Sequence, residues 1–458
     1  MSLSELHARI AANWLYPLAQ NMRGNNYPQV VVEGHRNLSL SREAIRDLQF
    51  RKLKSLLHHA ALYVPYYRDS FKRMGIRADD IQSWDDFQKL PVLNKTDVRE
   101  HNNQFRSEKP RSRLRKYRTS GSTGTPLKVY TSEIAIAAEY ACRLRAYQHW
   151  GIKLGDRYIQ FVGSHRSSID PGLQSYINRR IYRPVKNFLF NRRTLSASYI
   201  DESELEYQWQ FLKNYKPVYL SGFPSSLYFL AQYIKDNGYD SRSLGLGLII
   251  SGGEVLFDWQ QTEIKDVFGC SILDIYGSYE IGIAACSYPC GGMHINDDYV
   301  IVEVIKDKSE DEFGRIIATR LENWEFPLLR FDVGDLAYPL EKHHDCSCGI
   351  NLSITRKIIG RHYDQIRFSN GRIIHGMFLS YIMKKTPGVH RYQIIQRSPD
   401  TLEILIVMDK TEFTSEQKEY IIDRIKSLAE TVEVIFTPVD SLKTEDSGKF
   451  RFIRSDIN

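Results

Sequence analysis

Between Tyr117 and about Pro339 of this 458-residue chain, short apolar runs alternate with longer stretches of helical period. Gly247 to Ile250, Leu273 to Tyr276 and Val300 to Ile305 have the length and composition of strands, whereas Ser132 to His149 and Glu202 to Asn214 carry helical spacing. Alternation on this scale predicts an α/β domain, in which helices cover the faces of a sheet. After about Gln365 the pattern changes. Arg391 to Gln396, Leu402 to Met408 and Val432 to Thr437 read as strands around a helix from Ser415 to Glu430, which predicts a compact α+β unit. The first hundred residues read as helical and connective. Ser41 is an N-cap with Glu43 in the first turn, and Ile45, Leu48, Leu53, Leu56, Leu57 and Ala60 recur at helical spacing until Pro65. The expected organisation is a helical N-terminal cap over residues 1–100, an α/β core over 101–360 and a small α+β domain over 365–458.

Composition excludes several classes. Hydrophobic residues make up 42% and charged residues 26%, the balance of a globular protein. The net charge of +7 is scattered, and the densest basic run, Arg106 to Arg118, is broken by Pro110 and leads into a glycine loop. No basic face with stacking aromatics is present, which argues against nucleic-acid binding. No run approaches ~18 consecutive apolar residues, so no membrane span is expected. Met1 to Gln20 is interrupted by Glu5, His7 and Arg9 and lacks the apolar core of a signal peptide. A cytoplasmic location is the expectation, and six cysteines there do not form a disulfide framework.

The strongest local signal is Thr119-Ser120-Gly121-Ser122-Thr123-Gly124-Thr125-Pro126-Leu127-Lys128. Two glycines let the backbone turn tightly and approach a ligand, and hydroxyls with backbone amides can surround phosphate oxygens. Arg118 and Lys128 add positive charge. The spacing is neither that of the NTPase P-loop nor that of the dinucleotide loop.

This loop resembles the phosphate-binding signature of the acyl-adenylate-forming superfamily, in particular its phenylacetate-CoA ligase and CapK-like branch. Further motifs follow in the same order: Val64 to Arg68 and Leu90 to Asp97; Ser251-Gly252-Gly253-Glu254; Asp274-Ile275-Tyr276-Gly277-Ser278-Tyr279-Glu280; Arg330-Phe331-Asp332-Val333-Gly334-Asp335; Gly360-Arg361, opening a hinge at 361–364; and Ser447-Gly448-Lys449. The resemblance implies an ATP-dependent ligase that activates a carboxylic acid, with a large domain closing against a small mobile lid. In that reaction a carboxylate attacks the α-phosphorus of ATP and pyrophosphate leaves, so cations and donors are needed where negative charge develops. By resemblance, Ser120, Gly121, Ser122, Thr123, Gly124 and Thr125 hold the leaving phosphates, with Lys128 nearby. Glu280 binds Mg²⁺. Gly253, Glu254, Ile275, Tyr276 and Gly277 form the adenine slot. Asp335 accepts from the ribose hydroxyls, Arg361 contacts ribose or phosphate, and Lys449 pairs with the substrate carboxylate and α-phosphate. Two departures stand out. Tyr279 replaces the usual Ser or Thr before the glutamate, and Tyr363 replaces the first acid of the hinge motif.

Cys286, Cys290 and His294 lie just beyond Glu280, and Cys346 and Cys348 follow His343 and His344. Two close pairs of soft ligands in a cytosolic chain read as a structural zinc site. The branch's usual set implies Cys286, His294, Cys346 and Cys348, with Cys290 as the rival for one position. On the acyl side the resemblance points to Tyr219 to Ser226 and Phe161 to Arg166, where Arg166 suits an anionic or polyhydroxylated acid. The acceptor is a thiol (CoA is one candidate), an amine or a hydroxyl. A CapK-like ligase in surface polysaccharide biosynthesis is the leading reading. An aryl- or acyl-CoA ligase is the alternative, and a nucleotide-binding relic without turnover is the reading from another class.

Overall fold

The computed structural model describes residues 3–15, 17–18, 27–118, 127–163, 183–197, 202–306, 308–309, 311–341, 346–361, 365–370, 373–375, 379, 382–383, 386–409, 411–427, 431–444 and 450–457. Its centre is a nine-stranded sheet. Strands Arg192–Ser196, Tyr158–Val162, Tyr219–Gly222, Leu248–Gly252 and Ser271–Ser278 run parallel in that spatial order. Gly282–Ser287, Met293–Ile295, Ile354–Thr355 and Leu340–Glu341 continue it antiparallel. Leu248, Ile249 and Ile250 are all buried, as expected of a strand covered on both faces. Helices Glu202–Tyr215, Pro224–Asp236 and Asp258–Phe268 pack into the same apolar core. A second sheet, entirely antiparallel, orders Val300–Ile305, Gly314–Arg320, Phe331–Ala337 and Ile358–Arg361. This is the α/β class expected from the alternation of runs.

The N-terminal helices owe their limits to caps. Ser41 Oγ accepts from the Ala44 amide at 3.2 Å and starts the helix Arg42–Tyr63. Pro65 both ends that helix and occupies the first turn of the next, Pro65–Met74, which closes at Gly75 with φ +65°. The stretch that follows holds two further helices, Trp84–Gln88 and Lys95–Glu100, that hydrophobic period does not reveal. Each opens on a reciprocal cap, Ser83 with Asp86 and Asn94 with Asp97.

Two arginines bind this helical region to the sheets. Arg330 lies buried at φ +49°, its guanidinium 3.0 Å from both oxygens of Glu303 and also donating to the carbonyls of Gln88 and Leu90. Arg145 lies fully buried in the helix Glu133–His149. It makes a bidentate pair with Asp298 at 2.8 Å and donates to the Asn296 side chain and the Gly34 carbonyl. Asn37 completes the set, donating to Asp298 at 3.0 Å. Burial alone would raise the Asp298 carboxyl; the facing guanidinium overrides it and holds it below its ordinary value.

The C-terminal sheet orders Glu433–Pro438, Thr401–Met408, Val389–Ser398 and Ile453–Ser455, with the helix Ser415–Lys426 beside it. Its buried residues join the core of the large sheet's helices. Among the described residues no helix is long and apolar enough to cross a membrane.

Candidate active site

Ligands of open α/β sheets sit beyond the carboxyl ends of the parallel strands, and the sequence motifs converge there. Gly252 and Ile275 are register partners on adjacent strands. A Cβ on Gly252 would stand 3.0 Å from the Ile275 carbonyl oxygen, and Gly253 follows at φ +83°, so this corner tolerates little besides glycine. Gly277 has the same need more sharply, because a Cβ there would meet the Gly282 carbonyl oxygen at 2.3 Å. That close approach lets the chain reverse through Tyr279, Glu280 and Ile281, with Ser278 paired to Gly282. Glu280 is buried in the reversal, while Tyr279 is 50% exposed.

The Tyr276 hydroxyl donates to Asp335 Oδ2 at 2.8 Å. Asp335 is the register partner of Arg361 across the second sheet. Three motifs far apart in sequence thus form one wall; of Arg361 only the backbone is described. Asp274, at the base of the same strand, has its carboxyl pushed up to about 6 by burial, partly offset by hydrogen bonds from the Ser251 hydroxyl and the Ile275 amide.

The hydroxyl-glycine loop closes a two-stranded hairpin, Leu114–Arg118 with Lys128–Ser132, in which Arg118 and Lys128 are direct partners. Both side chains are exposed at the loop's base. Ser120 to Thr125 themselves lie outside the described residues, as does Lys449. The hairpin is nonetheless tied to the Glu280 turn. Tyr117 stacks on Tyr279 with ring centroids 4.5 Å apart and planes 14° from parallel. The departure at position 279 therefore has a structural use, joining the loop's hairpin to the acidic turn.

Glu254, expected in the adenine slot, has its carboxylate engaged elsewhere. Its Oε2 accepts from the Ser225 amide at 3.1 Å and its Oε1 from the Phe450 amide at 2.8 Å. Only its backbone remains for a slot with Gly253, Ile275 and Tyr276. On the acyl side, a Cβ on Gly222 would meet the Phe161 Cβ at 3.0 Å, so the two expected stretches do abut. Arg166 lies outside the described residues.

The metal set also changes. Ligand atoms of Cys290, His294, Cys346 and Cys348 lie within 4.8 Å of one another, and Cys286 is not among them. Cys286 is fully buried in the strand Gly282–Ser287, its thiol pushed up to about 11 by burial. Cys290 instead precedes Gly291 and Gly292, at φ +94° and +70°, which turn the chain back so that Cys290 Sγ lies 3.3 Å from His294 Nε2. Cys346 Sγ lies 3.7 Å from the same nitrogen. A tetrahedral zinc with sulfur at ~2.3 Å and nitrogen at ~2.1 Å would set neighbouring ligands ~3.6 Å apart; the donor types and the two sulfur–nitrogen distances fit, whereas Cys346 Sγ and Cys348 Sγ stand closer, at 2.6 Å. The Gly-Gly pair after Cys290 was the sequence signal for this choice. His343 and His344 lie outside the described residues.

Residues 366–456 match the family model of the CapK C-terminal domain. The chain is 24% identical over 379 residues to the phenylacetate-coenzyme A ligase of Thermus thermophilus, covering 80% of this chain and 81% of that one. It is 22% identical over 418 residues to protein CapK of Staphylococcus aureus, covering 90% and 89%. Among solved structures, 2-hydroxyisobutyryl-CoA ligase in its postadenylation state superposes with a TM-score of 0.73, at 18% identity over 92% of this chain and 91% of that one. The same ligase in its thioesterification state superposes with a TM-score of 0.58, at 19% identity over 92% of each chain. The fold is that of the adenylate-forming ligases. By sequence the chain is similar to phenylacetate-coenzyme A ligases and to protein CapK.

Proposed function

We propose that this protein is an ATP-dependent ligase that joins a carboxylic acid to AMP and then passes the acyl group to an acceptor. The observation that carries the reading is the shared wall of Tyr276, Asp335 and the Arg361 backbone beside the Glu280 turn. In this reading Tyr276 stacks on adenine. Asp335, already oriented by the Tyr276 hydroxyl, accepts from the ribose. Glu280 supplies the hard oxygen ligand that Mg²⁺ prefers, and Mg²⁺ when bound neutralises phosphate charge. Ser120 to Thr125, with Arg118 and Lys128 at the base, hold the pyrophosphate as the carboxylate oxygen bonds to the α-phosphorus. Arg361 and Lys449 supply positive charge there. The reading is tested by AMP and acyl-hydroxamate formation from Mg·ATP, acid and hydroxylamine. AMP without an acyl product for any acid would contradict it.

Asp335→Ala is expected to raise the KM for ATP about 10- to 100-fold, the loss of one or two hydrogen bonds to a charged acceptor. ATP titration of the same assay measures it, and kcat should change less than KM.

The named CoA ligases favour a thiol acceptor, and CapK keeps a surface-polysaccharide acid or acceptor in view. Supplying CoA, amines and sugar hydroxyls separately to preformed acyl-adenylate decides among them.

Zinc is the fitting metal for Cys290, His294, Cys346 and Cys348, with all four positions filled by protein and a structural role. It would pin the loop after Gly282–Ser287 to the segment before Ile354–Thr355. Elemental analysis of the purified full chain should find one equivalent of zinc. Cys346→Ser should lose most of it, whereas Cys286→Ser should keep it. Equal zinc in both variants would reject this ligand set.

A further inference from the structure

Glu254 joins two parts of the molecule through backbone amides rather than side chains. One donor, the Ser225 amide at 3.1 Å, lies in the first turn of Pro224–Asp236. That helix has no side-chain cap of its own at Phe223, so the carboxylate meets an amide the helix leaves unsatisfied, at the end that favours negative charge. The other donor, the Phe450 amide at 2.8 Å, belongs to the C-terminal domain and follows Lys449 directly in the chain.

Aromatic packing surrounds this bridge. Phe450 meets Phe229 edge-on with centroids 5.4 Å apart. Phe452 meets Trp259 edge-on at 5.4 Å and Phe257 at 6.2 Å. Arg391 of the C-terminal sheet lies over the Phe229 ring at 5.0 Å. The arrangement of the two domains superposes better on the postadenylation than on the thioesterification state of the same ligase, 0.73 against 0.58 over similar coverage. The bridge is therefore observed in the arrangement associated with the first half-reaction.

We propose that Glu254 is a positioning residue for acid activation, a latch whose carboxylate fixes the Phe450 amide and thereby holds Phe450 to Phe452, the stretch directly after Lys449 in the chain, against the large domain. The aromatic cluster supplies area; the carboxylate supplies register, since two N–H donors require two acceptors in one place. This rests on the acid-activation reading above and adds a residue to it. In the transfer state the latch must open, so its loss should affect the two half-reactions unequally.

Glu254→Gln is a sharp probe. The carboxamide keeps the shape but offers one acceptor and one donor group, which sets an NH₂ against an N–H. Hydrogen exchange of the full chain needs no acid and reads the bond itself. Peptides containing Phe450 to Arg454 should exchange about 10-fold or more faster in the variant than in wild type, and unchanged exchange would overturn the latch. With an active acid, kcat for ATP–pyrophosphate exchange should fall by about 10²-fold, the scale of a misplaced catalytic group. KM for ATP and acyl transfer from preformed adenylate should hold. Phe452→Ala, acting from the other side of the interface, should give the same split. Equal losses in both half-reactions, or a rise in KM alone, would overturn the proposal. A wild type silent with every acid would sink the acid-activation reading instead and leave the latch to stand or fall by hydrogen exchange.

Discussion

Lys449→Ala is expected to slow acyl-adenylate formation by about 10²- to 10³-fold, the usual cost of removing one preorganised charge from a developing negative centre. Mg·ATP binding should be nearly unchanged, because the proposed nucleotide contacts at Ser120 to Thr125, Tyr276 and Asp335 do not include this lysine. Transfer from preformed adenylate should also persist, since the role proposed for the lysine is at the α-phosphorus. Single-turnover AMP formation and nucleotide titration measure these separately. A matching loss of ATP affinity would place Lys449 in ground-state binding. A variant as fast as wild type would remove it from the chemistry, and a relic without turnover would have no adenylation to lose.

Arg145→Met should destabilise the large domain by about 3–5 kcal/mol, because it leaves the Asp298 carboxylate buried without its ion-pair partner. The pair is fully buried and joins the helix Glu133–His149 to the Asn296–Asp298 segment and, through Asn37 and Gly34, to the N-terminal helix Tyr27–Leu38. Replacing both members, Arg145→Met with Asp298→Leu, should recover much of that loss, since no unpaired charge remains. Denaturant titration of the single and double variants tests this, and a single variant within 1 kcal/mol of wild type would contradict it. The sign of the pH effect follows from the depressed Asp298 carboxyl. Its contribution is complete above the ordinary carboxylate range and is lost as the pH falls below it. Arg145→Met should therefore be less acid-sensitive than wild type.

The sequence was most legible where one local rule decided the outcome. Apolar runs placed the strands Leu248–Gly252, Ser271–Ser278 and Val300–Ile305 within a few residues, and Ser41 marked its helix start. The glycine at 277 could be read as a motif letter, although its reason, the close approach of Gly282, needed the strand register. Two features were hidden because they depend on residues brought together from afar, and a third had a local signal that spacing alone does not weigh. Arg330 read as part of a nucleotide motif and acts in the fold as a tie from Glu303 to the Gln88 and Leu90 carbonyls. Glu254 read as an adenine-loop residue, yet its acceptors meet the amides of Ser225 and Phe450. Cys286 and Cys290 were equivalent by spacing, and only the turn at Gly291 and Gly292 shows which of them reaches His294.

Acid-dependent ATP–pyrophosphate exchange, with Mg²⁺ and no acceptor, reads acid activation by this protein in one step. Aryl acids, fatty acids, amino acids and uronic acids would be screened with labelled pyrophosphate. Exchange is expected with one of these classes, abolished without acid and reduced about 10²- to 10³-fold in Lys449→Ala. Protein that binds ATP and exchanges with none of them would contradict acid activation and leave a nucleotide-binding protein without this chemistry.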